Sequence, residues 1–196
     1  MARYTGPILK KARAYGISPQ TMGINKNSNR NPGNGRRRPS DYGAQLNEKQ
    51  KVKFIYGMKE KQFKNLFQKA DLMSGMTGEN LLSLLELRLD NVVYRMGFAS
   101  TRAQARQLVV HGHFTVNGKK LDIPSYTCEI GDVIEVKGKS KKNAFFKDLE
   151  ENNFNQANWL TVDFENLKGS VNQVPTKDDL DYEVEESLIV ELYSKN

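Results

Sequence analysis

Residues 99–121, ASTRAQARQLVVHGHFTVNGKKL, bring together side chains whose types and spacing could do chemistry. The stretch holds two arginines one helical turn apart, two histidines on either side of a glycine, and two lysines after an Asn-Gly pair: Arg102, Arg106, His111, His113, Lys119 and Lys120. Such a set fits four kinds of site: a metal centre, a catalytic histidine pair, a solvated charged surface, or a surface that binds RNA.

The first two kinds of site lack the partners that their chemistry needs. His111 and His113 are the only histidines, Cys128 is the only cysteine, and no HExxH or CxxC spacing is present. No serine or cysteine stands in the sequence context of a known nucleophile. His111 falls in the last turn of a predicted helix and fits a contact with the helix dipole. Both rings could also donate to phosphate or stack on bases.

A phosphate-binding surface uses the remaining features. A helix that begins at Ser100 or Thr101 presents free backbone N–H groups and the positive end of its dipole. Arg102 and Arg106 share one face of that helix, and the lysine pair approaches from the hairpin. RNA is favoured over DNA because a short helix beside a hairpin suits recognition of shape and backbone, and no DNA-recognition helix is evident. A merely solvated surface remains the simpler alternative.

Two helices and a small antiparallel sheet are predicted to position this stretch. An apolar helix is predicted from Thr77 to Gly97. The next is capped by Ser100 or Thr101, with Gln104 completing a capping box. Alternating apolar residues predict strands at 114–116 and 131–136, and the pair Asn117-Gly118 predicts a hairpin between them.

Further helices are predicted on both sides of this module. One is capped by Asn47 and ends at Gly57. The next carries an apolar stripe formed by Phe63, Leu66, Phe67, Ala70 and Met73. NWLTVDF at 158–164 is predicted to be a short strand. DLDYEVEESLIVELYSK at 179–195 is predicted to be a helix that docks on the helices of residues 47–73.

Charge is distributed unevenly along the chain. Residues 1–40 contain 9 Lys or Arg and no acid, residues 41–147 contain 18 against 11 acids, and residues 148–196 contain 3 against 12. The first segment is predicted to be mobile in isolation and to fold onto phosphates. The single cysteine excludes an internal disulfide, and no apolar run resembles a signal peptide or a transmembrane helix. We therefore expect a soluble cytoplasmic protein without a membrane partner.

Residues 88–136, RLDNVVYRMGFASTRAQARQLVVHGHFTVNGKKLDIPSYTCEIGDVIEV, closely resemble the small RNA-binding domain first described in ribosomal protein four of the small subunit. The flanking segments resemble the bacterial form of that family: MARYTGP at 1–7, SDYGAQLNEKQKVKFIYG at 40–57, TGENLLSLLE at 77–86 and SLIVELYSK at 187–195. The resemblance covers nearly the whole chain in the family's order.

The resemblance implies an α+β fold in which a helical domain carries an inserted RNA-binding domain of two helices packed on a short antiparallel sheet. The implied segments are a basic extension at 1–40, a first helical part at 41–86, the inserted domain at 87–147, and an acidic segment at 148–196 that completes the helical domain. Many family members bind zinc through N-terminal cysteines. Residues 1–127 contain none, so this chain resembles the zinc-free form, and no metal or other cofactor is expected.

The resemblance also implies a structural role in the small ribosomal subunit. The chain would be a primary binder of the 5′ domain of small-subunit ribosomal RNA and would nucleate assembly. In the subunit it would lie near the side where messenger RNA enters. Its implied neighbours are ribosomal proteins three and five. Messenger RNA is a further candidate partner. Some family members influence decoding accuracy and translation of their own operon, and both roles stay open for this chain.

The predicted RNA-binding residues follow from charge and helix ends, and they match the family surface. They are Arg3, Tyr4, Lys10, Lys11, Arg36, Arg37, Arg38, Lys49, Lys53, Lys64, Ser100, Thr101, Arg102, Arg106, His111, His113, Lys119 and Lys120.

Two other functions remain as alternatives. RNA pseudouridine synthases often carry this small domain and use an aspartate in an Arg-Leu-Asp setting, which residues 88–90 match. Asp90, however, lies in an apolar helix and is expected to serve helix structure or a salt bridge, so no enzymatic activity is predicted. The third hypothesis is an RNA chaperone or regulator that works outside the ribosome.

Overall fold

A computed structural model describes residues 4, 6–26, 40–147, 149 and 157–194. It divides the chain into two units. The first comprises Met1–Leu82 with Leu180–Asn196, and the second comprises Ser83–Asp179. Within the described residues, every helix is too short or too polar to cross a membrane.

The first unit is helical. It contains α1 (Ile8–Tyr15), a 3-10 turn (Gln20–Met22), α2 (Asp41–Ile55), α3 (Glu60–Asp71), the first part of α4 (Thr77–Glu86) and α9 (Glu186–Ser194). The sequence placed the start of α2 wrongly at Asn47. Ser40 is the N-cap, because its side chain accepts a hydrogen bond from the Gly43 N–H at 3.2 Å, and Asp41 supplies an acid to the first turn.

The C-terminal helix packs on the helices at the other end of the chain. The ring of Tyr193 stacks on Phe67 with centroids 4.4 Å apart, and Gln45 donates to the Glu191 carboxylate at 2.7 Å. The apolar stripe of α3 faces inward at Phe63, Phe67 and Ala70, whereas Met73 is exposed. Burial of the α9 face thus connects segments that are far apart in sequence.

The basic N-terminal segment contains ordered structure that its composition does not predict. Ala12 of α1 and Ile17 after it are buried, and the ring of Tyr15 lies 5.9 Å from that of Phe54 on α2. Gly16 ends the helix in the left-handed conformation with φ +68°. A few apolar residues at helical spacing are therefore sufficient to dock α1.

The long helix predicted from Thr77 to Gly97 is two helices, α4 and α5 (Leu89–Arg95). Arg88 between them is extended, with φ −65° and ψ 135°, and forms a bridge with Thr127. The Leu89 N–H donates to the Tyr126 carbonyl, and the Cys128 N–H donates to the Leu87 carbonyl. The prediction of one helix was wrong because these partners lie almost forty residues away and leave no local signal.

The second unit is α+β, as predicted. α5 is followed by α6 (Arg102–Val110), β1 (Phe114–Val116), β2 (Lys119–Lys120), β3 (Val133–Val136), α7 (Gly138–Lys141), α8 (Ala144–Lys147), β4 (Leu160–Asp163), β5 (Lys168–Val171) and a 3-10 turn (Lys177–Asp179). The strands form one antiparallel sheet in the order β2-β1-β3-β5-β4. Asn117 and Gly118 take positive φ values of 50° and 76° in the predicted hairpin turn.

The strands after residue 157 extend the sheet of the second unit. β5 pairs with β3, with Ile134 opposite Gly169, and buried Trp159 and Val171 join the core that α5, α6 and β1 line. The predicted domain boundaries differ from these units, because the prediction assigns all of residues 148–196 to the helical domain. Lys168–Val171, with the sequence KGSV, lacks the alternation that would predict its pairing with a distant strand.

Candidate nucleic-acid interface

The N-terminus of α6 is capped, as the sequence predicts. The Thr101 hydroxyl accepts a hydrogen bond from the Gln104 N–H at 3.1 Å, and the Gln104 side chain accepts one from the Ser100 N–H at 2.9 Å. The second bond falls one residue earlier than in an ordinary capping box. Ser100 is exposed. This end of the helix carries the positive end of its dipole.

Arg106 is bound by a buried carboxylate. Its Nε donates to Asp90 Oδ2 at 2.7 Å and its Nη2 lies 2.6 Å from the same oxygen. Arg88 binds both oxygens of that carboxylate: its Nε donates to Oδ1 at 3.1 Å and its Nη2 donates to Oδ2 at 3.0 Å. Asp90 is 3% exposed. The two guanidinium groups compensate the charge of this buried carboxylate. Asp90 therefore serves a salt bridge, which was the expected structural role.

Arg102 lies inside the unit and not on an exposed helix face. It is 8% exposed, its Nε donates to Asn91 Oδ1 at 2.8 Å, and its guanidinium carbon lies 4.4 Å from the centroid of the Tyr94 ring. Asn91 in turn donates to Glu86. This burial assigns Arg102 to the structure of the module and does not support the prediction that it reaches phosphate.

The hairpin lysines lie beside the corner between α6 and β1. Gly112 takes φ +72°, and a Cβ built on it would lie 2.7 Å from Lys120 Cε, so the lysine side chain crosses the glycine. Lys119 and Lys120 are exposed, and the Lys120 ammonium lies 3.5 Å from Asp122, itself half exposed. His111 is also exposed. The fold thus brings His111, Gly112 and Lys120 together.

The two histidines differ in their surroundings. His113 Nδ1 lies 2.9 Å from the Ser140 hydroxyl, and its ring centroid lies 6.2 Å from that of His111. Burial lowers the pKa of His113, and the nearby charges of His111 and Lys137 lower it further. These surroundings therefore favour the neutral imidazole form of His113.

Apart from Arg106 in the middle of α6, the predicted residues of the second unit lie near the two ends of that helix. Ser100 and Thr101 lie at its N-terminus, whereas His111 is its C-cap residue. A helix of nine residues separates these ends by about 13 Å at 1.5 Å per residue. The structure therefore provides two local groups of candidate residues along one helix.

Three lysines near the C-terminal group were missed by the sequence predictions. Lys139 and Lys142 are exposed and Lys137 is partly exposed, around the short helix α7. The signal that could have found them is the run KGKSKK at 137–142, which contains no acid.

The two predicted lysines of α2 form salt bridges with one carboxylate. Lys49 and Lys53 lie 2.6 and 2.7 Å from the two oxygens of Glu60. Partial burial acts to raise the pKa of Glu60, but hydrogen bonds from both lysines and their charges lower it to about 2. Lys49 is only 8% exposed, so its burial does not support phosphate binding. Lys64 on α3 is exposed.

The described part of the N-terminal arm presents cations near aromatic rings. The Lys11 ammonium lies 4.3 Å from the centroid of the Tyr4 ring and 5.7 Å from that of Phe54. Tyr4 and Lys10 are exposed. The remaining predicted arm residues, Arg3 and Arg36–Arg38, lie outside the described residues.

The described residues do not supply the ligands of the zinc site that the resemblance raised as a family feature. The thiol of Cys128 is buried, and burial, together with the charges of Asp132 and Asp90, raises its pKa above the ordinary value. Across the parts of the chain that the structure describes, no three His, Cys, Asp or Glu side chains gather at metal-binding distance.

The second unit belongs to a class of RNA-binding modules. Residues 87–134 match the family model described as the S4 domain, and residues 3–86 match the one described as the ribosomal protein S4/S9 N-terminal domain. The two matches together cover residues 3–134, which include the N-terminal part of the helical first unit and the helix–hairpin module.

Curated relatives match the chain from end to end. Small ribosomal subunit protein uS4 from Lachnoclostridium phytofermentans is 54% identical over 198 residues, covering 100% of both chains. The uS4 proteins of Clostridioides difficile and Chloroflexus aurantiacus are 52% and 50% identical, also over 100% of both chains. The chain belongs to the uS4 family of small ribosomal subunit proteins, which confirms the resemblance seen in the sequence.

Proposed function

We propose that this chain is a structural constituent of the small ribosomal subunit that binds the 5′ domain of small-subunit ribosomal RNA. The observation that carries the proposal is the full-length similarity to uS4 proteins, in a chain whose S4 domain exposes Lys119, Lys120 and His111. A cationic surface of this kind neutralises backbone phosphates.

The proposal assigns different roles to the predicted residues. Lys119, Lys120 and His111 contact phosphate directly, and His113 supports them. Arg106 remains a contact because its side chain is 21% exposed while Asp90 fixes its position. Arg102 and Lys49 act as buried supports of their own units.

Other candidate contacts lie at the α6 N-terminus and on the arm and first unit. The α6 N-terminus, with Ser100 and Thr101, presents the positive end of its helix dipole to a phosphate. The arm and the first unit add further cations and one aromatic ring: Arg3, Tyr4, Lys10, Lys11, Arg36–Arg38, Lys53 and Lys64.

The finer role follows the family resemblance. The chain nucleates assembly of the 5′ domain, lies near the side where messenger RNA enters, and neighbours ribosomal proteins three and five in the cytoplasmic ribosome. These statements rest on the resemblance over residues 1–195, and the surface geometry adds a phosphate-binding capacity to them. Decoding accuracy and control of its own operon are separate questions that need genetic tests.

The enzyme alternative is disfavoured by the state of its candidate nucleophile. In a pseudouridine synthase Asp90 would have to approach a nucleotide. Here that carboxylate is 3% exposed and is held by Arg88 and Arg106. Its oxygens already accept strong, charge-assisted hydrogen bonds.

Sedimentation distinguishes a ribosomal constituent from an RNA chaperone that works outside the ribosome. Tagged chain expressed in cells is followed through a sucrose gradient after a high-salt wash of the ribosomal fraction. We expect the chain to stay with the small subunit in near-stoichiometric amount. Recovery only at the top of the gradient would contradict the proposal and favour the chaperone.

A further inference from the structure

Three lysines and the two histidines form a second group near the corner between α6 and β1. We define the α7 surface as His111, His113, Lys137, Lys139 and Lys142. Its lysines come from residues 137–142, which precede, form and follow α7 (Gly138–Lys141). None of these lysines was among the residues predicted from the sequence.

Backbone and side-chain contacts join the two segments of this surface. The Lys137 N–H donates to the His113 carbonyl at 2.8 Å, and His113 Nδ1 lies 2.9 Å from the Ser140 hydroxyl. The His113 ring also lies 5.9 Å from that of buried Phe146 on α8. The histidine corner and α7 are therefore held together.

The lysines of the α7 surface lack carboxylate partners among the described residues. Lys141 shows the contrast, because it lies 2.8 Å from Glu135 and also donates to the Asn166 carbonyl at 2.7 Å. No Asp or Glu occurs between Val136 and Lys147. Uncompensated cations at this density attract a polyanion and not a neutral or cationic partner.

We propose that the α7 surface is a second phosphate-binding surface of this unit and takes the backbone of the same RNA as the hairpin lysines. The inference rests on the proposed function for the identity of the RNA. Lys120, whose side chain crosses Gly112, connects the two groups, so a continuous backbone can pass from the hairpin to α7.

Removing two of these lysines changes the salt dependence of binding. Each lost phosphate contact lowers the slope of log K against log salt by about 0.7 to 0.9. Lys139→Gln with Lys142→Gln should therefore lower the slope by about 1.5 and weaken binding roughly tenfold at low salt. The measurement is filter binding of the full chain to the 5′ domain of small-subunit ribosomal RNA between about 50 and 500 mM KCl.

The matched control removes the same charge elsewhere in the unit. Lys168 is exposed on β5. The pKa of Asp163 is lowered mainly by hydrogen bonds from Asn166, and the charge of Lys168 adds to this. Lys177 is followed by Asp178 and Asp179. Lys168→Gln with Lys177→Gln should leave the slope unchanged. An equal fall of slope in both double variants would overturn the proposal, as would an unchanged slope in the α7 variant.

The histidines of the surface give a second, independent readout. His113 is surrounded by His111 from α6, Lys137 and Ser140 around α7, and Phe146 from α8. Bound phosphate favours the imidazolium form, so binding takes up protons and affinity rises as pH falls from about 8 to about 6. His111→Gln with His113→Gln should remove that rise. A pH profile identical to that of the unchanged chain would contradict a role for the histidines.

Failure of this inference is distinguishable from failure of the proposed function. If the unchanged chain does not prefer the ribosomal RNA over an unrelated folded RNA, the proposed function fails. If the unchanged chain shows that preference and the α7 variant has the same affinity and salt slope as the unchanged chain, only the proposal of the second surface is contradicted.

Discussion

Two carboxylates determine which cations of this protein are available for other partners. Asp90 holds Arg88 and Arg106 inside the second unit, and Glu60 holds Lys49 and Lys53 in the first. The buried Asp90 makes separation of its arginines costly in free energy, whereas the half-exposed Glu60 holds its lysines more weakly. The charge of a residue therefore does not by itself make it an RNA contact.

Asp90→Asn should destabilise the second unit strongly. The substitution leaves two guanidinium groups without their buried counter-charge, for which a loss of about 3 kcal/mol in the free energy of unfolding is expected. Urea unfolding of the full chain measures this loss. Asp122→Asn is the control, because Asp122 is half exposed and only 3.5 Å from Lys120, and should cost less than about 0.5 kcal/mol. Similar stabilities of the two variants would contradict a structural role for Asp90.

Glu60→Gln should change how stability depends on pH. The folded pKa of Glu60 is about 2, below its ordinary value of 4.5, so its carboxylate stabilises the native state above pH 4.5. That contribution is lost as pH falls from 4.5 through the folded value. The glutamine variant should lose less stability over this interval, by under about 1 kcal/mol because the side chain is half exposed.

Thermal unfolding between pH 7 and pH 2 measures this difference, with Glu165→Gln as the control at an exposed position. If Glu60→Gln lost as much stability on acidification as the unchanged chain, the two lysine bonds would contribute nothing to the stability of the native state.

At the scale of the elements, the corner between α6 and β1 depends on a glycine. Gly112 takes φ +72°, and a Cβ there would approach Lys120 Cε to 2.7 Å. The left-handed conformation costs an L-residue about 1–2 kcal/mol, whereas the flexible lysine can move aside. Backbone strain is therefore the larger part of the penalty.

Gly112→Ala should destabilise the chain by about 1–2 kcal/mol, measured as a lower urea midpoint at an unchanged slope. Gly138→Ala is its matched control, because Gly138 begins α7 in an ordinary conformation with open space around its Cα. That control should be neutral or slightly stabilising. Equal destabilisation of both variants would refute the argument from conformation.

Capping and turn residues in the sequence correctly predict the elements whose ends depend only on neighbouring residues. Thr101 with Gln104 fixes the start of α6, and Asn117-Gly118 fixes the hairpin, because caps and tight turns depend on adjacent residues. The break at Arg88 is different, since its partner Thr127 is distant in sequence. β5 likewise depends on pairing with β3, and such contacts leave no local periodicity.

The sequence predicts which charged residues belong to the candidate site, but it does not predict which of them are exposed. The arginines and lysines were visible in the sequence, but the acids that would bury some of them were not. Arg102 and Lys49 are each 8% exposed, and their partners become apparent only when helices pack. The lysines in and beside α7 escaped prediction because that helix has only four residues and is too short for a periodic signal.

At the scale of the whole molecule, the acids concentrate at one end of the chain. Residues 148–196 contain 12 acids against 3 lysines, whereas residues 1–40 contain 9 cations and no acid. Acids repel a polyanion, so the acidic segment is expected to face protein or solvent and not RNA.

Neutralising two exposed acids of this segment, Glu183→Gln with Glu185→Gln, should leave affinity for ribosomal RNA unchanged or raise it by less than about threefold. Filter binding at fixed salt measures the effect. A loss of affinity of tenfold or more would show that these carboxylates support an RNA contact and would contradict the division of charge described above.

The most direct test of the central claim is selective binding by the full chain. Its affinity for the 5′ domain of small-subunit ribosomal RNA is compared with that for an unrelated folded RNA of similar size, across a salt titration. We predict tighter binding to the ribosomal RNA, with a preference that persists as salt is raised, because specific contacts add to the counterion term. Equal affinities that fall together with salt would contradict the account and leave a non-specific basic binder.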